Sequence, residues 1–93
     1  MLRIELVPTL SHCVESAARE QYDKSVREYL RAGKGSQELE ERIELLKAFL
    51  ESMDFSELRR ESEKHLTQDR DVRFVVYMER GEPKYEMEVA KQP

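Results

Sequence analysis

The chain has 93 residues and a mass of 11.1 kDa, which suffices for one domain and is too little for two. Apolar and charged residues each account for 39%, against a usual charged share of about 25%, so a small core sits inside a heavily charged surface. Twenty acidic and sixteen basic residues leave a net charge of −4, the opposite of the domain-wide basic balance that phosphate neutralisation demands of a nucleic-acid binder.

The first segment, Leu2-Arg3-Ile4-Glu5-Leu6-Val7, alternates apolar and charged residues with period two. This predicts a strand over 2–7 that turns Leu2, Ile4 and Leu6 to a core and ends at Pro8. A helix is predicted from about residue 10 to 32, capped by Thr9 or Ser11, with Ser16 as a later possible start. Its apolar positions, from Leu10 and Cys13 to Tyr29 and Leu30, spread wider than one stripe, as expected of a helix with two neighbours.

Gly33-Lys34-Gly35-Ser36 interrupts that helix, with Gly33 suited to the position after the last turn and Ser36 to the next N-cap. In the second helix, predicted over 36–53, Leu39, Ile43, Leu46, Leu50 and Met53 recur at spacings of four and three, with Leu45 and Phe49 beside them. Two heptads are short for a free coiled coil, so this seam is expected to pack on the first helix. Asp54-Phe55-Ser56-Glu57 has capping-box spacing and opens a third helix over 54–66 that buries Phe55, Leu58 and Leu66.

After a polar loop, Val72 to Met78 is rich in β-branched and aromatic residues, and Lys84 to Val89 alternates cleanly. With Arg80-Gly81-Glu82-Pro83 between them they form a hairpin over 72–89, its inner face made by Phe74, Val76 and Met78 beside Tyr85, Met87 and Val89. The order β-α-α-α-β-β predicts a two-layer α+β domain, a three-stranded, mainly antiparallel sheet covered on one face by helices.

Candidate chemistry is sparse. His12-Cys13 is the most reactive-looking pair, yet neighbours on a helix point about 100° apart, so a base for the thiol would have to come from His65. On the apolar side of a helix Cys13 is expected to be a buried, inert thiol. As the single cysteine it excludes an internal disulfide and fits a reducing compartment. Two histidines 53 positions apart and no paired Cys/His spacing give no zinc pattern. Glu38, Glu40, Glu41 and Glu44 suit the electropositive start of a helix rather than a cation site. Gly33 to Ser36 lacks the spacing and preceding strand of a phosphate loop.

Arg59, Arg60, Lys64 and Arg70 form a local basic patch, the feature that would serve a nucleic-acid-associated regulator. Carboxylates at helical spacing beside them, such as Glu57 and Glu61, favour local ion pairing instead. On the sheet's outer face, Val75 and Tyr77, with Val7 and Arg73 near them, leave apolar surface that a second copy would cover. The reading is a small cytoplasmic, non-catalytic interaction module or subunit, self-associating as a dimer, with no cofactor, no metal and no membrane span.

Overall fold

The computed structural model describes residues 2–32 and 35–90. Along the chain run β1 (Arg3–Leu6), α1 (Val14–Ala32), α2 (Gln37–Ser52), α3 (Phe55–Leu66), β2 (Asp71–Glu79) and β3 (Glu82–Ala90). The strands form one antiparallel sheet in the order β1-β2-β3, with the three helices on one side, the α+β arrangement that the patterning predicts.

α1 begins four residues later than the predicted start at about residue 10. After Pro8 the chain closes a tight turn, in which Thr9 N–H donates to His12 O at 2.8 Å and His12 N–H to Thr9 O at 3.2 Å. Backbone groups engaged in this way cannot start a helix, and Leu10 is left exposed at the tip. The first helical bond runs from Ala17 N–H to Cys13 O, which puts Cys13 at the N-cap. The expected role of Gly33 after α1 lies outside the described residues.

Ser36 caps α2 as expected, its side chain accepting from Leu39 N–H at 3.3 Å, and Asp54 caps α3, accepting from Glu57 N–H at 3.3 Å. α3 closes through Asp69, which adopts a left-handed φ of 58°. Arg70 N–H returns to His65 O and Asp69 N–H to Leu66 O, the bond pair that terminates a helix through a left-handed residue, usually glycine.

The buried centre of α2 takes in one member of the seam, Leu46, and the two residues flanking it. Leu45, Leu46 and Phe49 are fully enclosed, whereas Leu39, Ile43, Leu50 and Met53 are half-buried. α2 packs on α1 and also touches β2 and β3, so its deepest line lies between the seam and the sheet. α1 meets it with small residues, Ala17, Ala18 and Ser25, together with Val14.

β2 and β3 meet through a two-residue loop in which Arg80 (φ 53°) and Gly81 (φ 77°) are both left-handed, the type I′ geometry that suits a twisted hairpin. The register places Val72 opposite Val89, Phe74 opposite Met87 and Val76 opposite Tyr85, as the inner-face pattern implies. Phe74, Val76, Ile4 and Leu6 then meet Leu46 and Phe49 in a single core, with Phe55 edge-on to Phe49 at 5.6 Å between centroids.

Two substitutions separate core packing from turn geometry. Phe49→Ala should lower unfolding free energy in urea by about 3–5 kcal/mol, because it empties a fully enclosed site. Gly81→Ala should cost only about 1–2 kcal/mol, since a methyl group there meets nothing within 4 Å and the penalty is left-handed backbone alone.

Candidate functional site

The outer face of the sheet carries charge more than apolar surface. Arg73 lies across its middle, with Nε donating to Glu88 Oε1 at 2.9 Å and Nη1 to Glu5 Oε1 at 3.3 Å. Glu88, followed by Glu5, pushes the Arg73 guanidinium above its ordinary pKa. Arg3 sits 5.2 Å over the Tyr77 ring and within 4.0 Å of Glu86.

Val75 stands between Glu5 on β1 and Glu86 on β3 and is only 5% exposed. The aliphatic stems of such long charged side chains can cover apolar groups while their heads stay in water. Of the residues picked out for an interface, Val75 is therefore already enclosed within one copy and Tyr77 is half-buried, whereas Val7 is 57% exposed. β1 stops at Leu6 while β2 and β3 run on, and there Val7 and Arg73 border an open concavity of about 610 Å³ with Val72, Glu88, Val89 and Ala90.

Exposed apolar surface collects on the other side of the sheet, along β3. Tyr85 points toward the helices, near Phe49 and Phe74, yet remains 38% exposed. Pro83, Met87 and Val89 on the same face are half-buried. Partial burial, with Glu57 and Glu61 nearby, pushes the Tyr85 hydroxyl above its ordinary pKa. Nothing pairs with the far side of β3 among the described residues, because the sheet order ends there.

The basic patch is largely spoken for by α3 itself. Arg59 Nε donates to Glu63 Oε1 at 2.8 Å and Lys64 Nζ to Glu61 Oε1 at 3.2 Å. Arg70 Nη1 lies 3.5 Å from His65 Nδ1, and since a guanidinium can only donate, that ring nitrogen accepts. Arg60 is exposed. His12 Nε2 bonds Glu20 Oε2 at 2.9 Å.

Cys13 departs from expectation. It is half-buried at the head of α1, in a shallow recess of about 110 Å³ lined by Glu15, Phe55, Ser56 and Arg59. Its Sγ is 3.3 Å from Ser16 Oγ. Hydrogen bonding from the Ser16 side chain and then its backbone lowers the thiol pKa against the opposing effect of burial, with smaller pulls from the Glu15 backbone and last from Arg59. No histidine lines this recess among the described residues, so His12-Cys13 and His65 do not form a nucleophile-base pair there. Among the described residues no group of three His, Cys, Asp or Glu side chains is placed to hold a metal ion, and no helix is long and apolar enough to cross a membrane.

A family model matches residues 2–89, from before β1 to near the end of β3. The chain belongs to that family. An "Uncharacterized protein" of Archaeoglobus fulgidus is 45% identical over 51 residues, 53% of this chain, and the match spans 60% of that relative's length. No solved structure matches.

Two features of this surface escape periodicity. The enclosure of Val75 needs Arg3, Glu5, Arg73, Glu86 and Glu88 brought together from three strands, and only the strand order does that. The exposure of Cys13 follows from the turn at Thr9–His12, for which Pro8 followed by Thr9 and Ser11 is the local signal. Native Cys13 should therefore react with a thiol reagent, and its rate should rise with pH around a midpoint below that of the unfolded chain. Ser16→Ala should move the native midpoint upward, as stopped-flow labelling across pH would record.

Proposed function

We propose that this chain is a small non-catalytic interaction module or subunit that works inside the cytoplasm and associates with itself through the open side of its sheet. The observation that supports the reading is β3, nine residues long, with an unpaired outer edge and an inward apolar stripe from Pro83 to Val89 that the helices cover incompletely. Strand edges of this length template further pairing unless they are blocked, and the twofold dimer is the commonest assembly among homo-oligomers. Val7, at the concavity where β1 stops, adds exposed apolar surface to the same sheet.

β1 offers much less. It has four residues and is followed at once by Val7 and Pro8, and proline cannot donate to a ladder. The outer face offers charge already paired within one copy, so Arg73 and Tyr77 border the interface rather than fill it.

A nucleic-acid role for Arg59, Arg60, Lys64 and Arg70 draws no support from the arrangement, since Arg59 and Lys64 are each bonded to a neighbouring glutamate. Any binding to duplex DNA should be weak and fall with salt at a log-log slope of about −0.9 per phosphate neutralised.

Sedimentation equilibrium over a wide concentration range tests the main reading. The expected outcome is a reversible monomer-dimer equilibrium of moderate affinity, because association costs of about 4–15 kcal/mol offset much of the burial gained along one strand. A single monomeric species at every concentration would reject it.

A further inference from the structure

We infer that two copies join β3 to β3 in antiparallel fashion about a twofold axis at Glu86, making one continuous six-stranded sheet. This rests on the self-association proposed above and specifies its geometry. In a two-residue hairpin the residues flanking the loop exchange hydrogen bonds, and from there the pairs alternate. Glu82, Lys84, Glu86 and Glu88 thus turn their backbone groups to β2, while Pro83, Tyr85, Met87 and Val89 turn theirs to the free side. Pro83 has no N–H to give, which weakens pairing only at the loop end of the strand.

Charge selects both the occupant and the register. Two identical antiparallel strands related by a twofold axis can be centred on Tyr85, Glu86 or Met87 with most of the free edge paired. Centred on Met87, Glu86 faces Glu88 of the second copy twice, and no opposite charges meet. Centred on Tyr85, Lys84 meets Glu86 of the second copy, but Glu82 meets Glu88. Centred on Glu86, Lys84, which lies 3.4 Å from Glu82 of its own copy, faces Glu88 of the second copy, itself bonded to its own Arg73, in both halves. The one like-charge meeting is then Glu86 with itself, and each Glu86 already lies within 4.0 Å of its own Arg3. Opposite charges directly across a strand pair stabilise it and like charges destabilise it, so this register is favoured.

The same register orders the inner face. Tyr85 falls opposite Met87 of the second copy in both halves, and Pro83 opposite Val89. The half-covered stripe is thereby paired apolar to apolar, with Tyr85 as its aromatic member. β3 is thus complementary to a second β3 in its apolar pairs and its two Lys84–Glu88 pairs, Glu86 on the axis and the missing N–H of Pro83 being the exceptions.

The test uses the full chain carrying Cys13→Ser. Lys84→Glu and Glu88→Lys should each weaken association by about tenfold, because each replaces two attractive cross-strand pairs by two repulsive ones. Combining them should restore it. Glu86→Cys should form a disulfide-linked dimer on oxidation, whereas Lys84→Cys and Glu88→Cys should not. Only the residue on the axis faces its own copy, in a pair without mutual hydrogen bonds, about 4.5 Å apart between Cα atoms and within disulfide reach. Lys84, Glu86 and Glu88 are all exposed, and circular dichroism verifies that each variant is folded. If Glu88→Lys is destabilised by losing Arg73, Lys84→Glu and Glu86→Cys decide the matter. A parent that dimerises while these two behave as the parent and remain unlinked overturns the β3 pairing and leaves self-association standing. A parent that never dimerises overturns both.

Discussion

β2 is held on all four of its sides, and the other elements are arranged by that fact. Its edges pair with β1 and β3. Inside the fold Val72, Phe74 and Val76 are at most 1% exposed, against Leu46 and Phe49 of α2 and Leu58 of α3. Outside, Val75 is closed by charged neighbours. A strand with one fully buried face tolerates no slip, because a one-residue shift would exchange Val72, Phe74 and Val76 for the charged outer set. The I′ loop at Arg80-Gly81 sets the register on one side. On the other, β1 must return across almost the whole chain, as the ion pair between Arg73 and Glu5, 68 positions apart, illustrates.

The many charges act locally. Arg59 with Glu63, Lys64 with Glu61 and Arg19 with Glu15 sit one helical turn apart on exposed faces, and such pairs contribute about 0.2–1 kcal/mol each. On the sheet the arrangement gains a further consequence. Arg73 engages carboxylates from both neighbouring strands at once, tying β1 to β3 across β2. A face that looks like spare apolar surface in the sequence becomes one lined with ion pairs. Unsatisfied surface is thereby shifted to the strand edge and to the inner stripe around Tyr85, and that shift moves the proposed interface from the sheet's face to its edge.

The helical layer explains why β3 stays partly bare. α1 and α2 pack chiefly on each other, α1 reaching the sheet at β1 and α3 at β2. Three helices leave β3 with α2 as its main helical neighbour, and Phe49 and Tyr85 make that contact with centroids 6.4 Å apart. Met87 packs against the core at its edge. Further cover would require another layer or another copy.

The sequence by itself determined the order of elements, the α+β class, both helix caps at Ser36 and Asp54, and the inward set Phe74, Val76, Tyr85 and Met87. These depend on periodicity and on side chains bonding to backbone within three residues, which are local properties. The start of α1 was less legible, because Thr9 and Ser11 are equally good at capping a helix and at closing a turn. The turn prevails here once Pro8 has ended β1. Tertiary structure alone decided which residues of α2 lie deepest, since Leu45 and Phe49 join Leu46, and the other seam residues stay half-buried, only when a sheet stands beside the helix. It also decided the fates of Val75 and Cys13. Val75 is enclosed because three strands bring arginines and glutamates around it. Cys13 is only half-buried because the chain turns before the helix starts, leaving the thiol at the cap beside Ser16 and Arg59 instead of inside the apolar face. Each depends on groups far apart in the chain or on a competition between two local structures, and single-sequence patterns carry no term for either.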